Sequence, residues 1–235
     1  MSVIPQIKKL RGITLDFLFP KSCVGCGCEG DLICDKCRSK LVRVTSPICP
    51  KCGRSQMNGI ICSDCITWKS NIDGIRSPLR FEGTIRQAIH QFKYRNIRSL
   101  AVPLAELMQD YFIKNPIPAE LLVPVPLHPK RLRERGYNQS DLLAKEFGKL
   151  VSIPVDFNTL VRQKYTTPQA RTTSVEQRRA NMTGAFICRG EGLRNRRIML
   201  IDDVATSATT MEACAAALKS AGALSVWGLV LAREI

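Results

Sequence analysis

Long apolar runs are missing from this sequence. No stretch approaches the ~20 consecutive apolar residues that a membrane-spanning helix needs, so no transmembrane segment is expected. A secretion signal is missing too. Over residues 1–22, basic and acidic residues interrupt the apolar ones, and no small-residue cleavage site follows. That stretch reads as an amphipathic lead, with Leu10, Leu15, Phe17 and Leu18 packing on the domain behind it. Acidic residues are scarce. There are 20 Asp and Glu against 35 Lys and Arg, a formal net charge of +15 in 235 residues. Such an excess favours anionic partners, either nucleic acid or phosphorylated small molecules. Global disorder is excluded, because 45% of the residues are hydrophobic and can fill a core.

Cysteine, by contrast, is abundant. There are 11, most of them between Cys23 and Cys65. An odd total, a repeated CxxC spacing and no secretion signal point to metal ligation rather than disulfides. They also point to a reducing compartment, hence a cytoplasmic location. Cys23/Cys26, Cys34/Cys37, Cys49/Cys52 and Cys62/Cys65 form the pairs. Two thiolates separated by two residues can face one ion from a tight turn, and two such turns complete a tetrahedral site. Glycine follows Cys26 and Cys52, which suits a turn needing positive φ. The spacing therefore predicts two structural zinc ions in a double zinc ribbon over residues 23–70. Sequential pairing puts Cys23, Cys26, Cys34 and Cys37 on one ion, and Cys49, Cys52, Cys62 and Cys65 on the other. A cross-braced pairing satisfies the same spacing. Iron–sulfur ligation is the alternative metal reading, but these spacings do not follow ferredoxin runs. Cys28 is left over and is not read as a ligand. Lys36, Arg38, Lys40, Arg43, Lys51 and Arg54 give the module a basic surface, for docking or simply for solvation.

Residues 71–235 read as one further domain that opens with basic helices. Leu79 to Phe81 is a short strand. From Thr84 a helix carries Ile85, Ala88, Ile89 and Phe92 at helical spacing. A second helix follows Pro103, with Leu104, Leu107, Met108 and Tyr111 on one face. Arg86, Lys93, Arg95 and Arg98 interleave with Phe92 and Tyr94. That mixture can grip a single nucleic-acid strand by phosphate contact and stacking; equally, the aromatics can be core and the cations solvated. His90, alone at the border of the apolar stripe, reads as a packed or solvent-edge residue. Leu121 to Pro126 is a strand that empties into a cationic loop with Lys130 and Arg131, a composition suited to a diphosphate. A helix with Leu142, Leu143 and Phe147 follows. Gln163 to Asn181 is long, polar and cationic, in the manner of a lid, and its closure brings Arg171 or Arg178 onto phosphates.

The most specific stretch is Arg197 to Met211. Ile198 to Ile201 is an apolar run long enough for one buried strand, and Asp202 and Asp203 sit where it should end. Then come small and hydroxylated residues, and a helical pattern of Met211, Cys214, Ala215 and Leu218 closed by Gly222. Backbone N–H groups of such a turn, with the positive helix end, receive a phosphate. Thr206, Ser207, Thr209 and Thr210 add hydroxyl donors. The two carboxylates can accept from sugar hydroxyls or hold a metal ion. The plainer alternative is a strand followed by a Ser/Thr-capped helix without a ligand.

This stretch resembles the phosphoribosyl pyrophosphate (PRPP) signature of type I phosphoribosyltransferases. The resemblance implies that Asp202 and Asp203 hold the ribose hydroxyls. Ala205, Thr206, Ser207, Ala208, Thr209 and Thr210 would wrap the 5′-phosphate, and Lys130, Arg131 and Arg171 would meet the diphosphate of Mg2+–PRPP. Ala208 stands where that family usually has glycine. Alanine resists positive φ, so a looser or re-shaped loop is expected. The similarity extends further. Leu79–Gly83, His90–Tyr94, Pro124–Leu127, Arg135–Gln139, Thr167–Ala170, Arg178–Met182 and the Asp-Asp loop follow the order seen in the ComF/GntX family, with the CxxC array ahead of them. Membership implies an α/β fold: a type I phosphoribosyltransferase-like, mostly parallel sheet flanked by helices, fronted by the double zinc ribbon. It implies a PRPP-binding transferase-type protein acting in single-stranded DNA uptake. Its partners are then PRPP or a related phosphorylated sugar, single-stranded DNA and a protein of the competence machinery. The alternative is a non-catalytic protein that handles DNA, or senses PRPP or a nucleotide, on a transferase fold. Strand ends Pro126 and Asp202 are expected to face each other across the site. No acceptor pocket is legible.

Overall fold

The computed structural model of the protein describes residues 21–66, 70–165, 182, 184–190, 192–206 and 208–234. The expected N-terminal lead lies outside these residues. So do Ser207 and nearly all of the expected lid, including Arg171 and Arg178.

Two short helices, α1 (Asp35–Arg38) and α2 (Ser63–Ile66), belong to the cysteine-rich module. Then come β1 (Gly74–Arg76), β2 (Leu79–Arg80), α3 (Gly83–Tyr94), a 3-10 turn (Arg98–Leu100) and α4 (Ala101–Lys114). After β3 (Leu121–Pro124) follow α5 (Pro129–Arg135) and α6 (Gln139–Val151). The chain continues through β4 (Leu160–Arg162), β5 (Phe186–Cys188), β6 (Arg197–Ala205), α7 (Thr209–Ser220) and β7 (Ser225–Arg233).

Five strands form one parallel sheet in the order β1-β7-β6-β3, with β2 pairing the far end of β7. β4 and β5 form a separate antiparallel pair. A parallel sheet is stable only with both faces covered, and β6 is built for that. Ile198 to Ile201 are all fully buried. Met199 and Ile201 pack with α3, α4 and α6, while Ile198 and Leu200 pack with α7 and the β4–β5 pair. Each such side chain contributes roughly 1.5–3 kcal/mol relative to exposure.

Three elements differ from expectation. β6 does not end at the acids. Its pairing with β7 continues through Val204↔Ala232 and Ala205↔Arg233, because small apolar residues follow the acids and the register is unbroken. α4 starts at Ala101, ahead of Pro103, since a proline in the first turn forfeits only an N–H that has no intrahelical acceptor. The cationic segment after β3 is a short helix. His128 caps it by accepting from Lys130 N at 3.2 Å, Pro129 starts it, and Gly136 ends it at φ 80°.

The cysteine-rich module covers the outer edge of the sheet. Val44 N donates to Pro78 O at 3.0 Å, Arg80 N to Val42 O at 2.9 Å and Ile75 N to Lys51 O at 2.7 Å. An edge that would otherwise present unpaired backbone groups is thereby closed. Among the described residues, no helix is long and apolar enough to cross a membrane.

Candidate functional site

In open parallel sheets, ligands bind beyond the carboxyl ends of the strands. Here that rim carries Asp202, Asp203 and the turn after them. β3 lies directly beside β6, with Pro124 paired to Ile201 and Val125 N donating to Ile201 O at 3.0 Å. The strand ends that the sequence placed across the site from one another are therefore neighbours along it.

The two carboxylates are held in different ways. Asp202 is partly exposed. Its Oδ1 accepts from Ser140 Oγ at 2.8 Å and from Asp203 N at 2.9 Å. Ser140 comes from the first turn of α6, where Asn138 caps the helix and anchors it to Val125 O at 3.0 Å. Burial, then the neighbouring Asp203 charge, pushes the Asp202 carboxyl up to about 7. A carboxyl poised there can hold a hydroxyl or exchange a proton near neutral pH. Asp203 is buried, and its Oδ2 lies 2.8 Å from Lys93 Nζ on α3. This is a close ion pair rather than an aligned hydrogen bond, for Oδ2 has no partner of hydrogen-bond geometry. Burial alone would push the Lys93 ammonium down; the close contact with Asp203 and the Asp202 charge together outweigh it, and the net shift is upward.

Ala205 ends β6, Thr206 is exposed, and Thr209 and Thr210 open α7. Ala208 sits at the helix N-cap with φ 60° and ψ 3°, in the left-handed region. Ala208 itself thus takes a conformation that glycine adopts freely, at a cost of about 1–2 kcal/mol for alanine. Glu212, in the first turn of α7, accepts from Asn71 N and Asn71 Nδ2, both at 2.7 Å, and so ties this helix to the segment that leaves the cysteine-rich module.

A cationic cleft of about 440 Å³ lies alongside, lined by Lys93, Tyr94, Asn96, Arg131, Glu134, Arg135 and Tyr165. Arg131 faces it. Lys130 lies outside it, with Nζ 4.7 Å from the Tyr165 ring centre. A second groove of about 980 Å³ follows α3 and meets the first at Lys93 and Tyr94; Arg86, His90, Arg95 and Phe81 also line it. His90 stacks on Tyr94 at 4.8 Å, a solvent-edge role. Sequence reasoning missed Lys93 and Ser140 as site residues. Each is separated from its aspartate by many tens of positions, and no local pattern marks either one.

The cysteines gather in two sets, Cys23/Cys26/Cys34/Cys37 and Cys49/Cys52/Cys62/Cys65, each with its sulfurs within 4.8 Å of one another. This is sequential grouping. Tetrahedral zinc with Zn–S near 2.3 Å requires sulfurs about 3.8 Å apart. The Cys26–Cys34 and Cys52–Cys62 separations of 3.6 and 3.7 Å suit it. The two knuckles repeat each other: Gly27 N donates to Cys23 O at 2.8 Å, and Gly53 N to Cys49 O at 2.9 Å. Cys34 N points to Cys23 Sγ and Cys62 N to Cys49 Sγ, both at 3.4 Å. All-thiolate, closed sites of this kind are structural.

A double zinc ribbon fronting a parallel α/β sheet with an acidic strand end and a helix-capping turn defines the class of protein. The double zinc ribbon domain family matches residues 14–66. Competence protein ComFC of Bacillus subtilis is 30% identical over 86% of this chain and 84% of its own. Competence protein F of Haemophilus influenzae is 29% identical over 87% and 95%. The DNA utilization protein YhgH of Salmonella typhi is 27% identical over 86% and 91%. The chain belongs to the ComF family. Among solved structures, a PRPP amidotransferase from B. subtilis with ADP and GMP is 17% identical over 56% of this chain and 26% of that longer one, at a TM-score of 0.39.

Proposed function

We propose that the protein binds Mg2+–PRPP at the rim of β6 and acts in the cytoplasm as a phosphoribosyltransferase-type factor in the use of single-stranded DNA. The observation that carries this reading is the turn itself. Ala208 is held in a glycine-like conformation that costs energy and has no purpose in a simple helix cap. Ala205 to Thr210 take the 5′-phosphate on backbone N–H groups and hydroxyls. Asp202, the more open carboxylate, accepts from the ribose hydroxyls. Asp203 acts through Lys93, whose ammonium borders the cleft. Lys93, Arg131 and, beyond the described residues, Arg171 meet the diphosphate, and Lys130 adds charge at the cleft's margin. Magnesium bound to PRPP would supply further neutralisation of the departing diphosphate. Binding energy spent on the two phosphate ends then positions C1 for attack.

Isothermal calorimetry with PRPP, with and without Mg2+, tests this on wild type and Asp202→Asn. Micromolar binding that needs magnesium and is lost in the variant is expected. No binding to wild type overturns both the transferase and the sensing readings.

A second reading, a non-catalytic DNA-handling factor, draws on the α3 groove. Its cations and rings are the pairing that single strands use, phosphate contact plus stacking. The +15 charge predicts steeply salt-dependent affinity for single-stranded DNA. Replacing Arg86 and Arg95 by Gln should flatten that salt slope while leaving PRPP binding unchanged.

A further inference from the structure

Two cavities of the protein share a wall at one place. The groove along α3 and the cationic cleft both take in Lys93 and Tyr94, and no other of the described residues lines both. Lys93 is committed to the acid pair, with Nζ 2.8 Å from Asp203 Oδ2. Tyr94 instead keeps its ring in solvent, at 64% exposure. The groove leads up to it. Arg86, His90 and Tyr94 are spaced i, i+4, i+8 and form one exposed stripe of α3. That helix has 12 residues, a length of about 18 Å. Arg95 lies just past its end. Five cations, Arg86, Lys93, Arg95, Arg131 and Arg135, line the two cavities against one acid, Glu134. This is charge suited to a polyanion.

The cleft adds a feature that phosphate does not need. Two rings line it, Tyr94 and Tyr165, and each carries a cation from α5. The Arg135 guanidinium lies 5.4 Å from the Tyr94 ring centre, and Lys130 Nζ lies 4.7 Å from that of Tyr165. Arg98 holds the cleft open by fixing the end of α3 to the end of α5. Its Nε donates to Asn96 Oδ1 at 3.0 Å and its Nη2 to Gly136 O at 3.3 Å. The volume of about 440 Å³ falls within the ~300–1,000 Å³ of small-ligand pockets. Aromatic faces beside cations are the surfaces on which nucleobases stack.

We propose that the junction at Tyr94 is a nucleobase site: a single strand of nucleic acid laid along α3 keeps its phosphates on Arg86 and Arg95 and turns one base into the cleft, against Tyr94 and Tyr165. This rests on the α3-groove reading given above and extends it. The base is the part of the strand that comes nearest the acid pair, because the ring that receives it adjoins Lys93.

The test uses the full chain, with zinc, and fluorescence anisotropy at several salt concentrations. It compares an oligothymidylate of about 12 nucleotides, within the ~4–16 that such grooves hold, with an abasic strand of the same phosphate count. Tyr94→Ala should weaken the oligothymidylate roughly 5–100-fold, the worth of one stacked base. It should leave the abasic strand and the salt slope unchanged. Tyr94→Phe should bind like wild type. Tyr165→Ala should also weaken only the base-bearing strand, whereas Arg86→Gln with Arg95→Gln should weaken both. Tyr94 is exposed, so its replacement leaves the fold intact. Equal weakening of the two strands by Tyr94→Ala, or no weakening of either, overturns the base site and leaves the groove reading standing. Tyr165→Ala without effect overturns the placement of the base in the cleft. Polyglutamate of matched charge, bound as tightly and with the same dependence on Tyr94, overturns nucleic acid as the occupant. No binding of either strand to wild type overturns the groove reading and this inference together.

Discussion

The two zinc knuckles are built alike and live differently. Both turn through a glycine after the second cysteine, at φ 77° for Gly27 and 71° for Gly53. Around Gly27 a methyl group would meet nothing within 4 Å; at Gly53 it would stand 2.3 Å from Ile75 O. Cys26 is exposed, while Cys52 is buried. The first knuckle rests on α3 through side chains, Gly25 packing against Thr84. The second is pinned to β1 by backbone, and beside it Arg54 pairs with Asp64. One motif thus yields a peripheral site and a site that forms part of the sheet's edge.

The strongest way to break this comparison is to remove one ligand from each site. Structural zinc contributes on the order of 10 kcal/mol to the folding of small zinc modules, comparable to the whole stability of a domain. Cys52→Ser should leave the protein largely unfolded by circular dichroism. Cys26→Ser should lose one zinc by metal analysis and keep a cooperative melt. Equal damage from both would mean that the sites are equivalent.

The neighbouring aspartates repeat the contrast, one chemistry in two environments. Asp203→Asn leaves Lys93 without its partner, and should cost about 3–5 kcal/mol by denaturant unfolding. Asp202→Asn should do the opposite as pH rises. The Asp202 carboxyl, near 3.9 when unfolded, is raised to about 7 in the fold. The stability linked to its protonation is complete below about 4 and is lost as pH rises through 7. Melting temperatures of Asp202→Asn should therefore gain on wild type between pH 5 and pH 8, while PRPP binding disappears. A constant difference across that range would remove Asp202 from the account.

Smaller effects sharpen the picture. Gly27→Ala should cost about 1–2 kcal/mol, the left-handed strain alone. Gly53→Ala should cost about 3 kcal/mol or more, because the clash with Ile75 O adds to the same strain. Thermal melts of the two variants make the comparison directly. Ala208→Gly should be the mildest, a stabilisation of about 0.5–1 kcal/mol, or roughly 2 °C, as left-handed strain is relieved. If the turn receives a phosphate, the same change leaves PRPP binding intact.

The sequence alone determined what is set by short separations. CxxC spacing names the ligands, because two thiolates on one turn are placed by four residues of backbone. The run Ile198–Ile201 followed by Asp202 and Asp203 names the strand and its acids, because burial of a central parallel strand needs apolar side chains on both faces. Positive φ at Gly27 and Gly53 was likewise readable from their place in the knuckle. Only the tertiary structure decided the rest. Lys93 meets Asp203, and Ser140 meets Asp202, because α3 and α6 pack on the same face of the sheet. β6 runs past its acids because β7 continues beside it. These partners are far apart along the chain, and strand order, which no local pattern encodes, is what brings their charges together.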